Sequence, residues 1–165
     1  MRSATAADAG EIARLCWAYR ALLADRSEGL PPLVDTYYSA DTYPALIADL
    51  PRIHARPRGD ILLATLGTQV VGCAMYYPLS KPGVTEIKRV YVDDVARGSG
   101  AGRALMRAAM KGARSDGYTR VVLDTIAPLT EAIALYDALG FAPCAPFYEV
   151  DPAFAPHLRF FDHPL

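Results

Sequence analysis

Three glycines alternate with other residues in Arg97-Gly98-Ser99-Gly100-Ala101-Gly102-Arg103, between the apolar run ending at Val92 and an amphipathic run that starts near Ala104. A strand that turns through glycines straight into a helix leaves peptide N–H groups without intrahelical acceptors, all pointing the same way. With the positive end of the helix dipole behind them, they make a seat for a phosphate or diphosphate. Glycine suits such a seat because a side chain would hold the anion away from the amides, and because the turn calls for positive φ. Spacing excludes two ligands. A Walker loop needs Gly-Lys-Ser/Thr, and Arg103 stands five residues after Gly98 with no such tripeptide nearby. GxGxxG fails in both frames, ending on Arg103 from Gly98 and on Leu105 from Gly100.

Other reactive residue types are scattered. His54, His157 and His163 have no second ligand at metal-site spacing and suit surface or packing roles, so no metal is expected. Cys16, Cys73 and Cys144 are odd in number and form no CxxC pair, which predicts reduced, mostly buried thiols. Arg103, Arg107, Lys111 and Arg114 step along one helix face and read better as a solvated stripe than as a phosphate anchor. Seventeen basic against eighteen acidic residues leave a net charge of −1, so no global field gathers nucleic acid or an anionic membrane. No apolar run approaches the length needed to span a bilayer, and the charged N-terminus is unlike a secretion signal, so a cytoplasmic protein is expected.

The elements that must hold the glycine loop follow from periodicity. Ala6 to Ala24 carries apolar residues at three- and four-residue spacings and predicts a helix. Asp25 to Tyr43 has no sustained period and reads as loop or broken helix, with specificity expected there. Asp41-Thr42 could cap a second helix through Ile47 and Leu50. Ile61 to Thr65 and Val70 to Tyr77 predict a hairpin, and Thr85 to Val92 a third strand of the meander. The loop then leads into a helix ending near Ser115-Asp116-Gly117 and a strand at Arg120 to Asp124, a crossover that makes its flanking strands parallel. Thr130 is placed to cap a further helix ending at Gly140, and a terminal strand pair, Phe141 to Phe147 and His157 to Phe161, completes the chain. With 165 residues, one domain spanning 1–165 is expected. Its fold class is α/β (α+β), a mixed and mostly antiparallel sheet of six to seven strands with helices on both faces.

The loop matches Arg/Gln-x-x-Gly-x-Gly/Ala and so resembles the acetyl-CoA-binding motif of the GNAT superfamily of N-acetyltransferases. The likeness extends from about Gly59 to Ala145. Glu86-Ile87-Lys88-Arg89-Val90-Tyr91-Val92 is similar to that family's fourth strand, and Ala134 to Phe141 to its last helix with the LY…LGF ending. Ala145-Pro146-Phe147-Tyr148 and Phe160-Phe161 resemble one bacterial branch.

The resemblance implies direct transfer of an acetyl group from acetyl-CoA to the primary amine of a small molecule or amino acid. It assigns the diphosphate to the backbone of Arg97, Gly98, Gly100 and Gly102, within a cofactor-binding stretch that also takes in Ser99, Ala101 and Arg103. Val90, Tyr91 and Val92 would face the pantetheine arm, which enters where the fourth and fifth strands splay. Glu86 is implied as the base: an alkylammonium of pKa near 10.4 is almost wholly protonated at pH 7, so help with deprotonation matters. Tyr136 is implied as the donor to the departing thiolate, being a phenol protonated at neutral pH. Leu129 stands where many family members carry an asparagine that contacts the cofactor. Trp17, Tyr37 and Tyr38 are candidates for an acceptor pocket. Dimers through the terminal strands are frequent in the family and leave a homodimer open. The alternative from another class is a non-catalytic acyl-CoA-binding sensor, which the glycine loop would serve equally; Glu86 and Tyr136 favour the enzyme.

Overall fold

The computed structural model describes residues 1–165. Its strands are β1 (Arg2–Ser3), β2 (Asp60–Leu66), β3 (Gln69–Pro78), β4 (Val84–Val92), β5 (Arg120–Ile126), β6 (Ala142–Pro143) and β7 (Leu158–Pro164). Its helices are α1 (Ala9–Arg26), α2 (Leu33–Tyr37), α3 (Tyr43–Ile53), α4 (Ala101–Ser115) and α5 (Thr130–Asp137). The strands form one mixed sheet in the order β1-β2-β3-β4-β5-β7-β6, in which only β4 and β5 run parallel. The expected mixed, mostly antiparallel sheet with helices on both faces is thus present.

Strand alternation sorts the core into two layers. Leu62, Ala74, Tyr76, Ile87, Val121 and Leu123 face α4 and α5, meeting Leu105, Met106 and Ala109. Ile61, Leu63, Cys73 and Met75 face the opposite way and pack on Leu15 and Cys16 of α1 and Ile47 and Leu50 of α3. A third cluster joins Leu23, Leu33 and Val34 to Ile126, Phe154, Leu158 and Phe160. It ties the end of α1 and α2 to the β5–β7 edge and floors the inner cavity described below.

Local chemistry moved several boundaries. The segment read as loop or broken helix holds one short helix, α2. Thr130 is the first residue of α5 and Leu129 takes the capping position, with no side-chain cap; Thr42 precedes α3 but likewise caps nothing through its side chain. The first partner of the terminal strand pair shrinks to Ala142–Pro143, extended only by the Cys144 amide donating to Phe160 O at 2.9 Å. Pro143 and Pro146 have no N–H to continue the ladder. β1 is too short to show a period and went unforeseen. Its residues pair as Arg2 with Leu63 and Ser3 with Leu62. All three cysteines are free, Cys16 and Cys73 buried and Cys144 partly so.

Candidate active site

β4 and β5 pair only from Val84 to Glu86 against Arg120 to Val122. Beyond that they diverge, and the wedge is continued by a groove of about 410 Å³ lined by Val90, Tyr91, Val92, the glycine loop and α5. The loop leaves β4 through a short 3-10 turn, Asp94–Ala96, then passes Gly98 at φ 77° and Gly100 at φ 85°, where Gly100 caps α4. A Cβ at either glycine would touch nothing within 4 Å, so it would project into open space beside the groove. Glycine here keeps the amides bare and meets the left-handed backbone without strain.

The amides divide into two sets. Arg97 N–H donates to Asp94 O at 3.2 Å, Ser99 N–H to Ala96 O at 3.3 Å, and Ala101 N–H to Ser99 Oγ at 3.4 Å. Gly98, Gly100, Gly102 and Arg103 have no acceptor within the chain. The expected seat is therefore shifted: the Arg97 amide closes the turn, and that of Arg103 is free in its stead. Ser99 does not line the groove; its hydroxyl donates to Ala96 O at 2.6 Å and braces the turn. The Arg97 side chain lies at the groove while pairing with Asp94 at 2.8 Å. Tyr91 lines the groove, but its ring belongs to the α1/α3 core.

The groove continues into an inner cavity of about 330 Å³ between α1, α2, β4 and β5. Tyr19, Val90, Leu129, Ala132 and Tyr136 line both spaces. Tyr136 is 5% exposed, with its ring 5.9 Å from Phe141 and 5.8 Å from Phe161. Its hydroxyl makes no hydrogen bond within the chain. Burial first, and then the charge of Asp124, pushes its pKa well above that of an ordinary phenol. It stays protonated where two cavities join.

A β-bulge organises the inner cavity. Met75 pairs with Lys88 and Cys73 with Tyr91, so Arg89 and Val90 together oppose Ala74. Arg89 takes φ 54°, which turns both Lys88 and Arg89 toward the α1 side of the sheet. Glu86, 2% exposed, accepts a short hydrogen bond from Tyr77 Oη. Lys88 Nζ lies 2.8 Å from Glu86 Oε1, close enough for an ion pair but off the hydrogen-bonding direction, and 3.2 Å from Asp124 Oδ1. Tyr148 Oη donates to Asp124 Oδ2 at 3.1 Å. Burial raises the Glu86 carboxyl above the usual range, and Lys88 and Tyr77 only partly counter it. For Lys88, burial pulls the ammonium down, but Asp124, Tyr38 and Glu86 outweigh it and the net shift is upward.

Of the residues read from the sequence, Glu86, Val90 and Tyr136 line the inner cavity, as do Tyr37 and Tyr38. Trp17 does not; it sits edge-on to Tyr43 on the outer side of α1, 39% exposed. Of the cationic stripe, Arg107, Lys111 and Arg114 are exposed. His54 is buried, so packing rather than surface describes it. Asp124, Tyr77 and Tyr148 were missed as site residues. An aspartate closing the apolar run Val121-Val122-Leu123 was the one available signal, since a carboxylate inside a buried strand needs a partner.

Residues 23–141 match the Acetyltransferase (GNAT) family. The chain belongs to that family. An IAA acetyltransferase of Azospirillum brasilense is 35% identical over 119 residues, covering 70% of this chain and 78% of that protein. An uncharacterized N-acetyltransferase of Schizosaccharomyces pombe is 35% identical over 104 residues, 62% of this chain. The chain spans 63% of that relative's length. The crystal structure of a ribosomal-protein-alanine N-acetyltransferase from Brucella melitensis superposes with a TM-score of 0.66 at 26% identity, over 99% of this chain and 98% of that one. Bacterial and fungal relatives together establish the family without singling out a branch.

Proposed function

We propose that residues 1–165 form one acetyl-CoA-dependent N-acetyltransferase domain acting on the primary amine of a small molecule or amino acid. One observation carries the reading: unbonded amides at Gly98, Gly100, Gly102 and Arg103 face a groove that opens, past an unpartnered Tyr136 hydroxyl, into a second cavity holding Glu86. A binding module would need only the groove; the second space beyond it suits an acceptor.

The amides and the α4 dipole hold the diphosphate, and the free edge of β4 from Ile87 onward offers backbone groups to the pantetheine arm. Glu86, held by Tyr77 and raised in pKa by burial, takes a proton from the acceptor ammonium directly or through a water. The amine nitrogen then attacks the thioester carbonyl, the carbon–sulfur bond breaks, and Tyr136 gives its proton to the thiolate before regaining one from solvent. Leu129 makes the α5 wall of the groove apolar, so cofactor contacts on that side fall to backbone and packing.

Thiol release from acetyl-CoA against a panel of amines, alongside calorimetric titration of coenzyme A, tests the proposal. Coenzyme A binding with amine-dependent thiol release supports it. Binding without release from any amine would support a sensor, and no binding would overturn both.

A further inference from the structure

Arg89 has no counter-charge. Lys88 engages both carboxylates of the inner cavity, Glu86 at 2.8 Å and Asp124 at 3.2 Å, and no carboxylate lies within ion-pair distance of Arg89. The residue is 6% exposed and lines the cavity, and its Nε is enclosed without a hydrogen-bond partner. Apart from Lys88, its cationic neighbour on the strand, the groups packed on it are neutral. The guanidinium carbon stands 5.8 Å over the Tyr38 ring, and the Tyr43 hydroxyl beside it donates to Cys16 O at 3.0 Å. Enclosing a guanidinium away from water without an anion is costly, and a strand residue at φ 54° is itself an unfavourable conformation. The bulge thus spends stability to direct an unpaired fork of donors into the space that would hold the acceptor.

We infer that Arg89 binds a carboxylate of the acceptor, so that the substrate is a small amino carboxylate, with the amine directed toward Glu86 and the acid group toward Arg89. A planar guanidinium matches a carboxylate with two parallel N–H···O bonds, which fixes orientation as well as charge. Glu86 and Arg89 lie three residues apart on one strand, roughly 10 Å along the backbone at the usual rise. Both residues line one cavity of about 330 Å³, a space on the scale of a single amino acid. Cation–π contact with Tyr38, whose carbonyl accepts from Arg20 Nε at 2.7 Å, holds the guanidinium in place before any ligand arrives.

This inference rests on the acetyl-transfer reading, and matched ligands separate the two. Free L-amino acids and their α-carboxamides, which keep the amine and lose the negative charge, are compared for binding to the coenzyme A-loaded protein by calorimetry and for thiol release from acetyl-CoA. The acids are expected to bind at least roughly 30-fold more tightly than the amides, the scale on which removing one partner of a buried charged pair acts. Arg89→Met should abolish that preference while leaving coenzyme A affinity unchanged, and Arg89→Lys should restore part of it. Acids that bind with this preference but release no thiol would uphold Arg89 and overturn acetyl transfer. Amides bound or acetylated as well as acids, or no amino carboxylate bound at all, would overturn the role of Arg89. The acid-to-amide ratio in the unaltered protein decides the matter even if Arg89→Met folds poorly.

Discussion

Replacing Tyr136 with Phe removes one oxygen and little else. The hydroxyl bonds to nothing within the chain, and the ring's packing against Phe141 and Phe161 survives the change. Stability should therefore move by no more than about 0.5 kcal/mol, or roughly 2 °C in midpoint for a chain of this size. The chemical loss is larger. Without a donor the sulfur must depart as an anion into a cavity walled by Leu129, Ala132 and the ring itself. A positioned general acid is worth about 10²–10⁴ in rate, or about 3–5 kcal/mol of barrier. Steady-state thiol release, with whichever amine of the panel turns over, should show kcat lower by that factor and coenzyme A affinity unchanged. Because burial raises the Tyr136 pKa, the unaltered enzyme should show no loss of this donor in the mildly alkaline range. A Tyr136→Phe protein that keeps kcat within about twofold would refute the assignment, since no general acid of this strength is dispensable.

Glu86→Gln should lower kcat at neutral pH by about 10²-fold, with the loss shrinking at high pH as free amine becomes abundant; an unchanged pH–rate profile removes Glu86 from the role of base. Gly100→Ala places a Cβ where φ is 85° and nothing lies within 4 Å. It should cost about 1 kcal/mol of stability and weaken coenzyme A binding at least roughly tenfold, as measured by melting and calorimetry. His54 donates through Nδ1 to Tyr76 O at 2.9 Å, and burial draws its pKa down from 6.5 to about 4. The unfolded chain therefore binds the extra proton first as pH falls below 6.5. This imposes a penalty of about 2 kcal/mol by pH 5, zero above pH 7 and complete below pH 4. Denaturant midpoints of His54→Gln should lack that fall between pH 7 and 5. Asp116 accepts from Arg56 at 2.6 Å through each oxygen and from Tyr76 Oη at 2.7 Å, joining the loop after α3 to the end of α4. Asp116→Ala should lower stability by about 1–3 kcal/mol in denaturant melts.

The crossover β4-α4-β5 and its glycine turn were legible because each rests on local chemistry: strand alternation, a glycine-coded turn and an amphipathic helix. Of the amides named from the sequence, those of Gly98, Gly100 and Gly102 are free of acceptors and that of Arg97 is not. The Arg97 N–H is taken by a 3-10 turn at Asp94–Ala96 that no periodicity announces, whereas that of Arg103 is free because it is the third residue of α4. Glu86 and Lys88, two apart on one strand, share a face by the period-2 rule, so their pairing was foreseeable. Arg89 was not, because a single-residue bulge reverses the alternation and sends its side chain to the face that the pattern denies it. Asp124 on β5 meets Tyr148 from the segment between β6 and β7, a contact that no local pattern announces and only the folded chain creates. The shortened β6 follows from prolines that were visible, whereas β1 gains its structure entirely from pairing with β2.

On the function proposed above, backbone donors at the start of α4 grip the diphosphate of coenzyme A. A crystal structure of the protein with coenzyme A bound tests it most directly. Diphosphate oxygens are expected about 2.9 Å from the nitrogens of Gly98, Gly100, Gly102 and Arg103, with the thiol lying beside the Tyr136 hydroxyl. A diphosphate lodged away from these amides, or a thiol pointing away from the inner cavity, would contradict the account.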